Sequence, residues 1–269
     1  MGQSLSAPAS DLPGLIAKSE LPNGEMVVVE DVASAWRHIV ASALSSYSRD
    51  DGSRDDSYQK RPFTLALSGG PTARKCYEAL ADILFPSSSP STPSAAAAAP
   101  PFNNISWNNV NILVGDERCV PIDDPDSNSG MIKEVLVTKI HGLGAFYPMD
   151  CEAGPSAYSD IVSRYMPLDL VHLGMGADGH SASLFPGSAA LNERSSLVAY
   201  SRDPQQLNAH DRMTFLLPVI NSSKQVIFTV SGSEKLEAMA KVMQGSDVPA
   251  LRVCAANVLW IVDEAANPR

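Results

Sequence analysis

Strand-length apolar runs that recur between helical stretches constrain this chain more than any other feature. Phe63–Leu67, Val110–Val114, Leu170–Leu173, Gln225–Val230 and Asn257–Val262 are apolar along most of their length. A strand with apolar side chains pointing both ways must be covered on both faces, which is the pattern of a parallel sheet. A shorter β-branched run at Met26–Val29 and another strand at Thr214–Leu217 extend the series. Between them the spacing predicts helices over Val32–Tyr47, Thr72–Phe85, Ser129–Ile140, Ser156–Met166 and Glu234–Met243. Trp36, Ile39, Val40 and Leu44 share one face of the first, and Cys76, Leu80, Ile83 and Leu84 turn inward from the second. The expected fold class is α/β: a mainly parallel sheet with helices on both faces.

Composition narrows the function classes. With 20 basic and 30 acidic residues the net charge is −10, a balance that repels nucleic-acid backbones. No run approaches the roughly 18 to 20 apolar residues of a spanning helix, so no membrane span is expected. The four cysteines form no CxxC pair and read as small buried hydrophobes of a reducing compartment, with no disulfide. No His/Cys spacing predicts a metal site. The expected organisation is an N-terminal arm over residues 1–22 and one domain over 23–269. A low-complexity surface insertion, PSSSPSTPSAAAAAPP, falls at 86–101. The start, Met1-Gly2-Gln3-Ser4-Leu5-Ser6, fits a myristoylation pattern on Gly2, although a plain polar tail that matches so short a pattern by chance is the favoured reading. A cytoplasmic monomer is expected.

In a parallel sheet, ligands bind beyond the carboxyl ends of the strands, and three segments there carry chemistry. Ser68-Gly69-Gly70-Pro71-Thr72 joins a strand to a helix. It reads as an anion cradle built from exposed N–H groups and the helix dipole, or as an ordinary tight turn with Pro71 in the first helical turn. Asp116, Glu117 and Arg118 emerge together at the end of Val110–Val114, either as functional groups or as a solvated charge cluster. Asp126-Ser127-Asn128-Ser129 reads as a helix N-cap from which an Asn or Ser can also face a sugar hydroxyl.

The strongest segment is Leu173-Gly174-Met175-Gly176-Ala177-Asp178-Gly179-His180-Ser181-Ala182-Ser183-Leu184-Phe185-Pro186. Its GxGxxG is a poor dinucleotide fingerprint, because Pro186 opposes a long helix opening at Gly179. It makes better sense with His180 as a base oriented by Asp178, the glycines letting a substrate approach. His38, His141, His172 and His210 read as structural. Arg212 and Lys235, both at strand–loop junctions, are surface charges or a clamp on a phosphate dianion.

SGGPTARKCYEAL, VGDERCVP with DPDSNSG, LGMGADGHSASLFPGS, RMTFLLPVIN and VSGSEK follow one another in the order and spacing seen in 6-phosphogluconolactonases, which the chain resembles from Met26 to Val262. These belong to a wider group of sugar-phosphate enzymes that includes glucosamine-6-phosphate deaminases. The resemblance implies a Rossmann-like α/β domain, no required cofactor, and hydrolysis of 6-phosphogluconolactone in the oxidative pentose phosphate pathway. It places His180, Asp178, Arg118 and Asp116 in the catalytic set, and Ser68, Gly69, Gly70, Thr72, Arg74, Gly176, Arg212 and Lys235 around the substrate. The family turn usually reads SGGSTP, so Pro71 and Ala73 are departures, and Arg74 is expected to compensate for the lost hydroxyl. The related deaminases carry a glutamate five residues after the motif histidine, where this chain has Phe185. Isomerase or deaminase chemistry is the runner-up. A non-catalytic sugar-phosphate sensor is a third reading, disfavoured because no DNA-binding module is evident.

Overall fold

A computed structural model of the chain describes residues 12–49, 61–84 and 105–268. The expected insertion at 86–101 and the Gly2 pattern lie outside them. The described elements, in order, are β1 (Leu15–Leu21), β2 (Gly24–Val29), α1 (Val32–Arg49), β3 (Phe63–Leu67), α2 (Pro71–Leu84), β4 (Val110–Val114), β5 (Asp116–Arg118), α3 (Asn128–Val135) and β6 (Ala145–Tyr147). There follow α4 (Gly154–Ser163), β7 (Leu170–Gly174), α5 (Ala189–Asn192), β8 (Val198–Ser201), β9 (Arg212–Phe215), α6 (Leu217–Ser222), β10 (Gln225–Val230), α7 (Leu236–Met243) and β11 (Val258–Asp263).

The main sheet runs β1-β2-β11-β10-β7-β3-β4-β6, parallel except where β1 lies antiparallel to β2. β3, β4 and β10 are buried at every position, so both faces of the sheet centre are covered. From β3 the chain builds outward through β4 and β6, then returns to place β7 on the other side of β3 and builds the opposite way through β10 and β11. β3 and β7 are therefore the topological switch point, where crevices open at the carboxyl ends. Their pairing is short, Leu65 with Leu170 and Ala66 with Val171, against the full Phe63–Leu67 run that β3 shares with β4.

One buried carboxylate bolts the two strands together at their amino ends. Asp169, fully buried, accepts from the Thr64 N–H (2.8 Å) and Oγ1 (3.0 Å), from Arg61 Nη2 (2.7 and 2.8 Å) and from Lys224 Nζ (2.7 Å). A second buried polar chain crosses the sheet beneath the crevice. The Tyr77 hydroxyl donates to the Ser68 carbonyl (2.7 Å) and lies 3.0 Å from His172 Nδ1, while His172 Nε2 meets Thr229 Oγ1 at 2.9 Å. The hydroxyl spends its proton on Ser68, so Nδ1 is the protonated nitrogen and Nε2 accepts from Thr229. Trp36 packs on the imidazole at 4.7 Å. Burial lowers the His172 pKa from its ordinary 6.5 to about 3, which keeps the ring neutral.

Several expectations are corrected. The arm expected over 1–22 contributes an edge strand, β1. LIAKSEL is exposed on most positions, as an edge strand is, so its sequence lacks a buried alternation. Cys119 and Cys151, expected as reduced buried residues, form a disulfide. Thirty-two residues separate them in sequence, but their Cα atoms lie 5.5 Å apart. Of the other two, Cys76 is buried and Cys254 is exposed. Asp116–Arg118, read as charges leaving a strand end, is a strand in a second sheet, the antiparallel β5-β9-β8. Thr214–Leu217 shifts to Arg212–Phe215, Leu217 opening α6, and the helix expected to Ile140 stops at Val135, followed by a single turn at Val137–Lys139.

Two stability predictions follow from the buried groups. Asp169→Ala leaves the buried Thr64 N–H without its acceptor and frees two half-exposed cations, and should cost about 1–3 kcal/mol in a urea titration; an unchanged midpoint would show that the bolt carries no load. His172 binds its proton only near pH 3 in the folded chain but near 6.5 once unfolded. The unfolded state thus holds more protons between those values. Stability should be full above 6.5 and fall on acidification by up to about 1.4 kcal/mol per pH unit from this group. Urea midpoints from pH 7 to 4 measure it, and His172→Gln should flatten the slope.

Candidate active site

The crevice at the switch point is a cavity of about 270 Å³. On one lip, β3 ends at Leu67 and Ser68-Gly69-Gly70 turns into α2, with Pro71 at its first position and Thr72 and Ala73 following. Gly70 takes φ +102°, a left-handed conformation that a side chain would strain, and Pro71 brings the fixed φ suited to a helix start. The Arg74 N–H already serves the Gly70 carbonyl at 2.9 Å. Gly69, Gly70, Pro71, Thr72 and Ala73 line the cavity at the start of α2, where the helix dipole is positive. The Tyr77 bond to the Ser68 carbonyl fixes the turn from below.

On the opposite lip, β7 ends in the glycine loop. His180 Nδ1 lies 2.6 Å from Asp178 Oδ1, and the His180 N–H binds the same oxygen at 3.1 Å. Burial raises the Asp178 pKa, but the hydrogen bonds and charge of His180 outweigh it, so the carboxyl is held below its ordinary range. An ionised Asp178 fixes the imidazole proton on Nδ1 and leaves Nε2 as a free base. The His180 side chain is 23% exposed and lines the cavity, packed against Phe185 with ring centroids 4.7 Å apart. Gly176 is required here. A Cβ on it would sit 2.2 Å from His180 Nδ1 and 2.5 Å from Asp178 Oδ1.

The second sheet forms the side wall. Its register sets Arg118 directly opposite Arg212, both lining the cavity. Like charges so placed repel each other. Burial, and then Arg118, lowers the Arg212 pKa, and Arg212 Nε is buried with no hydrogen-bond partner. Ser68 Oγ and Asn128 Oδ1, also on this cavity, are orphaned in the same way. Buried polar atoms are ordinarily satisfied, so a cluster of orphans at one cavity marks a polar ligand site. Glu117 is structural: its carboxylate caps α3, accepting from the N–H groups of Asn128 and Ser129 at 2.7 Å each. Asp116 lines the cavity and accepts from Ser183 Oγ at 2.8 Å. Lys235 reaches the cavity from the turn after β10, whose Ser231 and Gly232 are tied to the Asp263 carboxylate on β11.

The structure thus brings Ser68, Gly69, Gly70, Thr72, Asp116, Arg118, Gly176, His180, Arg212 and Lys235 to one cavity, with Asp178 behind His180. It does not bring Arg74. That side chain leaves α2 toward α3 and binds Glu134 at 2.8 Å and Glu78 at 3.7 Å, so it does not compensate for Pro71. The glycine-loop N–H groups of Gly176, Gly179 and His180 bond to the His180 carbonyl, the Gly176 carbonyl and Asp178. These three are spent on the loop itself. Sequence reasoning did not single out Ser183, Asn208, Ser231 or Glu234, which also line the cavity. None of them is an apolar strand residue, a glycine or a cation, so nothing local set them apart from their neighbours. Among the described residues no group of three or more His, Cys, Asp or Glu is placed to hold a metal ion.

Comparison with known proteins agrees with this geometry. Residues 40–260 match the family model described as glucosamine-6-phosphate isomerases/6-phosphogluconolactonase. A 6-phosphogluconolactonase of Nostoc is 31% identical over 228 residues, covering 78% of this chain and 85% of the relative. 6-Phosphogluconolactonase 3 of Saccharomyces cerevisiae is 32% identical over 232 residues, covering 79% and 87%. The crystal structure of a 6-phosphogluconolactonase from Thermotoga maritima superposes with a TM-score of 0.64 at 26% identity, covering 89% of this chain and 99% of that one. A monomeric glucosamine-6-phosphate deaminase reaches the same TM-score, 0.64, at 20% identity, covering 90% and 98%, so the fold alone does not separate the two activities. On the extent of the family match and the identity to these relatives, the chain belongs to the glucosamine-6-phosphate isomerase/6-phosphogluconolactonase family.

Proposed function

We propose that the chain hydrolyses 6-phospho-D-glucono-1,5-lactone to 6-phosphogluconate, the lactone-opening step of the oxidative pentose phosphate pathway, with His180 as general base. The observation that carries this reading is the His180–Asp178 pair, with Nε2 free, in the same cavity as a phosphate-type turn and three cationic side chains. The phosphate sits against the N–H groups of the Gly70–Ala73 turn, neutralised by Arg212 and Lys235. Its binding energy orients a ring whose reacting end lies at His180. His180 Nε2 takes a proton from water as the oxygen attacks the lactone carbonyl carbon. Arg118 is the charged donor for the tetrahedral oxyanion, since three of the glycine-loop N–H groups are already bonded. The intermediate collapses by breaking the bond from carbon to ring oxygen, and the imidazolium returns its proton to that oxygen.

The isomerase reading is weaker for a specific reason. Phe185, at the position where the related deaminases carry a glutamate, is 1% exposed and packs on His180. Ring opening and proton transfer between two carbons call for a further acid–base group, and the wall of His180 on that side is hydrocarbon. A cytoplasmic monomer needing no cofactor is part of the proposal. Among the described residues no helix is long and apolar enough to cross a membrane.

Two kinetic predictions test the reading, each measured on freshly made lactone with spontaneous hydrolysis subtracted. His180→Ala should lower kcat by about 10²–10⁴-fold while the protein stays folded; near-normal turnover would remove His180 from its role. Lys235→Ala should raise KM by about tenfold to a hundredfold with kcat largely kept, the signature of lost phosphate binding. A fall in kcat alone would place Lys235 at the reacting end instead.

A further inference from the structure

The Cys119–Cys151 disulfide lies outside the chemistry described above but next to it in chain and in space. Cys119 follows Arg118 directly, and the segment from Cys119 to Ser127 runs from β5 to the N-cap of α3. That segment is mostly exposed and buries little apolar surface, Ile122 being 46% exposed. Its far end is held by Ser127, whose Oγ donates to Glu117 at 3.1 Å and whose carbonyl accepts from the Met131 N–H at 3.1 Å; between Cys119 and Ser127 the ties to other elements are fewer. The Cys119 N–H donates to the Asp211 carbonyl at 2.9 Å, and His210 Nε2 meets Asp126 Oδ2 at 2.9 Å. The disulfide is its covalent tie to the 148–153 loop, which Tyr200 steadies through the Cys151 carbonyl at 2.7 Å. The segment in turn holds the active-site cation, because Arg118 Nη1 donates to the Asp126 carbonyl at 2.7 Å.

Both half-cystines are only partly buried and line an open cavity of about 940 Å³ on the far side of β5 from the catalytic crevice. The bond is thus reachable by a thiol. Its surroundings are acidic: Asp150 and Glu152 line the same cavity, as does Asp211, which is paired with Arg202. Carboxylates hinder the approach of a thiolate that carries its own negative charges, and leave an uncharged dithiol less affected.

We propose that Cys119–Cys151 is a thiol–disulfide exchange site through which dithiol reductants set the activity of the neighbouring crevice. This rests on the function proposed above. One thiolate of the reductant attacks a cystine sulfur, the S–S bond breaks, and the other cysteine leaves as a thiolate and takes a proton. The reductant's second thiolate then attacks the reductant sulfur of this mixed disulfide and expels the bound cysteine as a thiolate, which takes a proton, so two electrons pass to the protein and the reductant ends as a disulfide. Release of the tie lets the 119–127 segment move and Arg118 with it. The disulfide thus acts as a positioning device, and oxidised protein is the more active form.

The test compares air-oxidised protein with protein reduced by dithiothreitol. Alkylation under denaturing conditions, read by mass, should label two cysteines before reduction and four after. Four labels in the oxidised sample would overturn the proposal. Reduction should lower kcat/KM by about tenfold, the scale expected when a substrate-facing group is displaced. Cys119→Ser and Cys151→Ser should match the reduced enzyme and ignore dithiothreitol. In an Arg118→Ala background the oxidised and reduced forms should turn over alike; a persisting difference would refute the route through Arg118. Hydrogen exchange should quicken on reduction within residues 119–128 and leave the β3 and β10 amides unchanged. This readout needs no turnover: protein inactive in both states counts against the proposed function, whereas unchanged exchange or equal kcat/KM overturns the exchange site.

Discussion

The structure depends on two strands that are bolted at one end and part at the other. β3 and β7 share only a short stretch of ladder before the chain carries their neighbours in opposite directions. A carboxylate with no access to water, Asp169, joins their amino ends by gathering two cations, a hydroxyl and a backbone N–H. An ion cluster of this kind contributes little net stability against an apolar substitute, but it fixes which groups meet. With that end closed, the carboxyl ends are the ones left to diverge. The phosphate-type turn lies on one lip and the imidazole on the other, and the gap between them belongs to a ligand.

The rest of the molecule holds those lips still. The Tyr77–His172–Thr229 chain ties α2, β7 and β10 under the crevice floor and fixes the Ser68 carbonyl. Asp263 grips the turn that carries Lys235, and Ser201 and Thr214 of the small sheet hold Ser183 at 2.6 and 3.1 Å. Most of these ties are polar groups buried with their partners, the Asp263 pair being half-buried. Such groups specify one arrangement, because any other leaves them unpaired in a medium of low dielectric.

What was legible in the sequence was what apolar periodicity and glycine can signal. Phe63–Leu67, Val110–Val114 and Gln225–Val230 are found with those bounds because continuous burial writes a continuous apolar run. The Gly69-Gly70 and Gly176–His180 turns stood out because few other residues fit such backbones or such close approach. β5 was not legible as a strand, since its Asp-Glu-Arg sequence carries charges that only their partners in space satisfy. Arg74 was misread for the same reason: Glu134, its partner, is 60 residues on. The disulfide depended on a distance between loops, and β1 on an exposed edge. Long-range pairing leaves no local mark.

Arg118 facing Arg212 across the small sheet has one more consequence. Two guanidiniums set in register, one of them largely buried, repel each other across the small sheet, and Asp116, Glu117 and Asp126 offset part of that cost. Any dianion that settles between or beside them removes that cost as well as adding its own contacts. Ligation and folding are thereby linked. On the proposed function, selectivity has the same source: a neutral sugar of identical shape leaves the repulsion in place, so discrimination is built into the protein and not only into the fit of the guest.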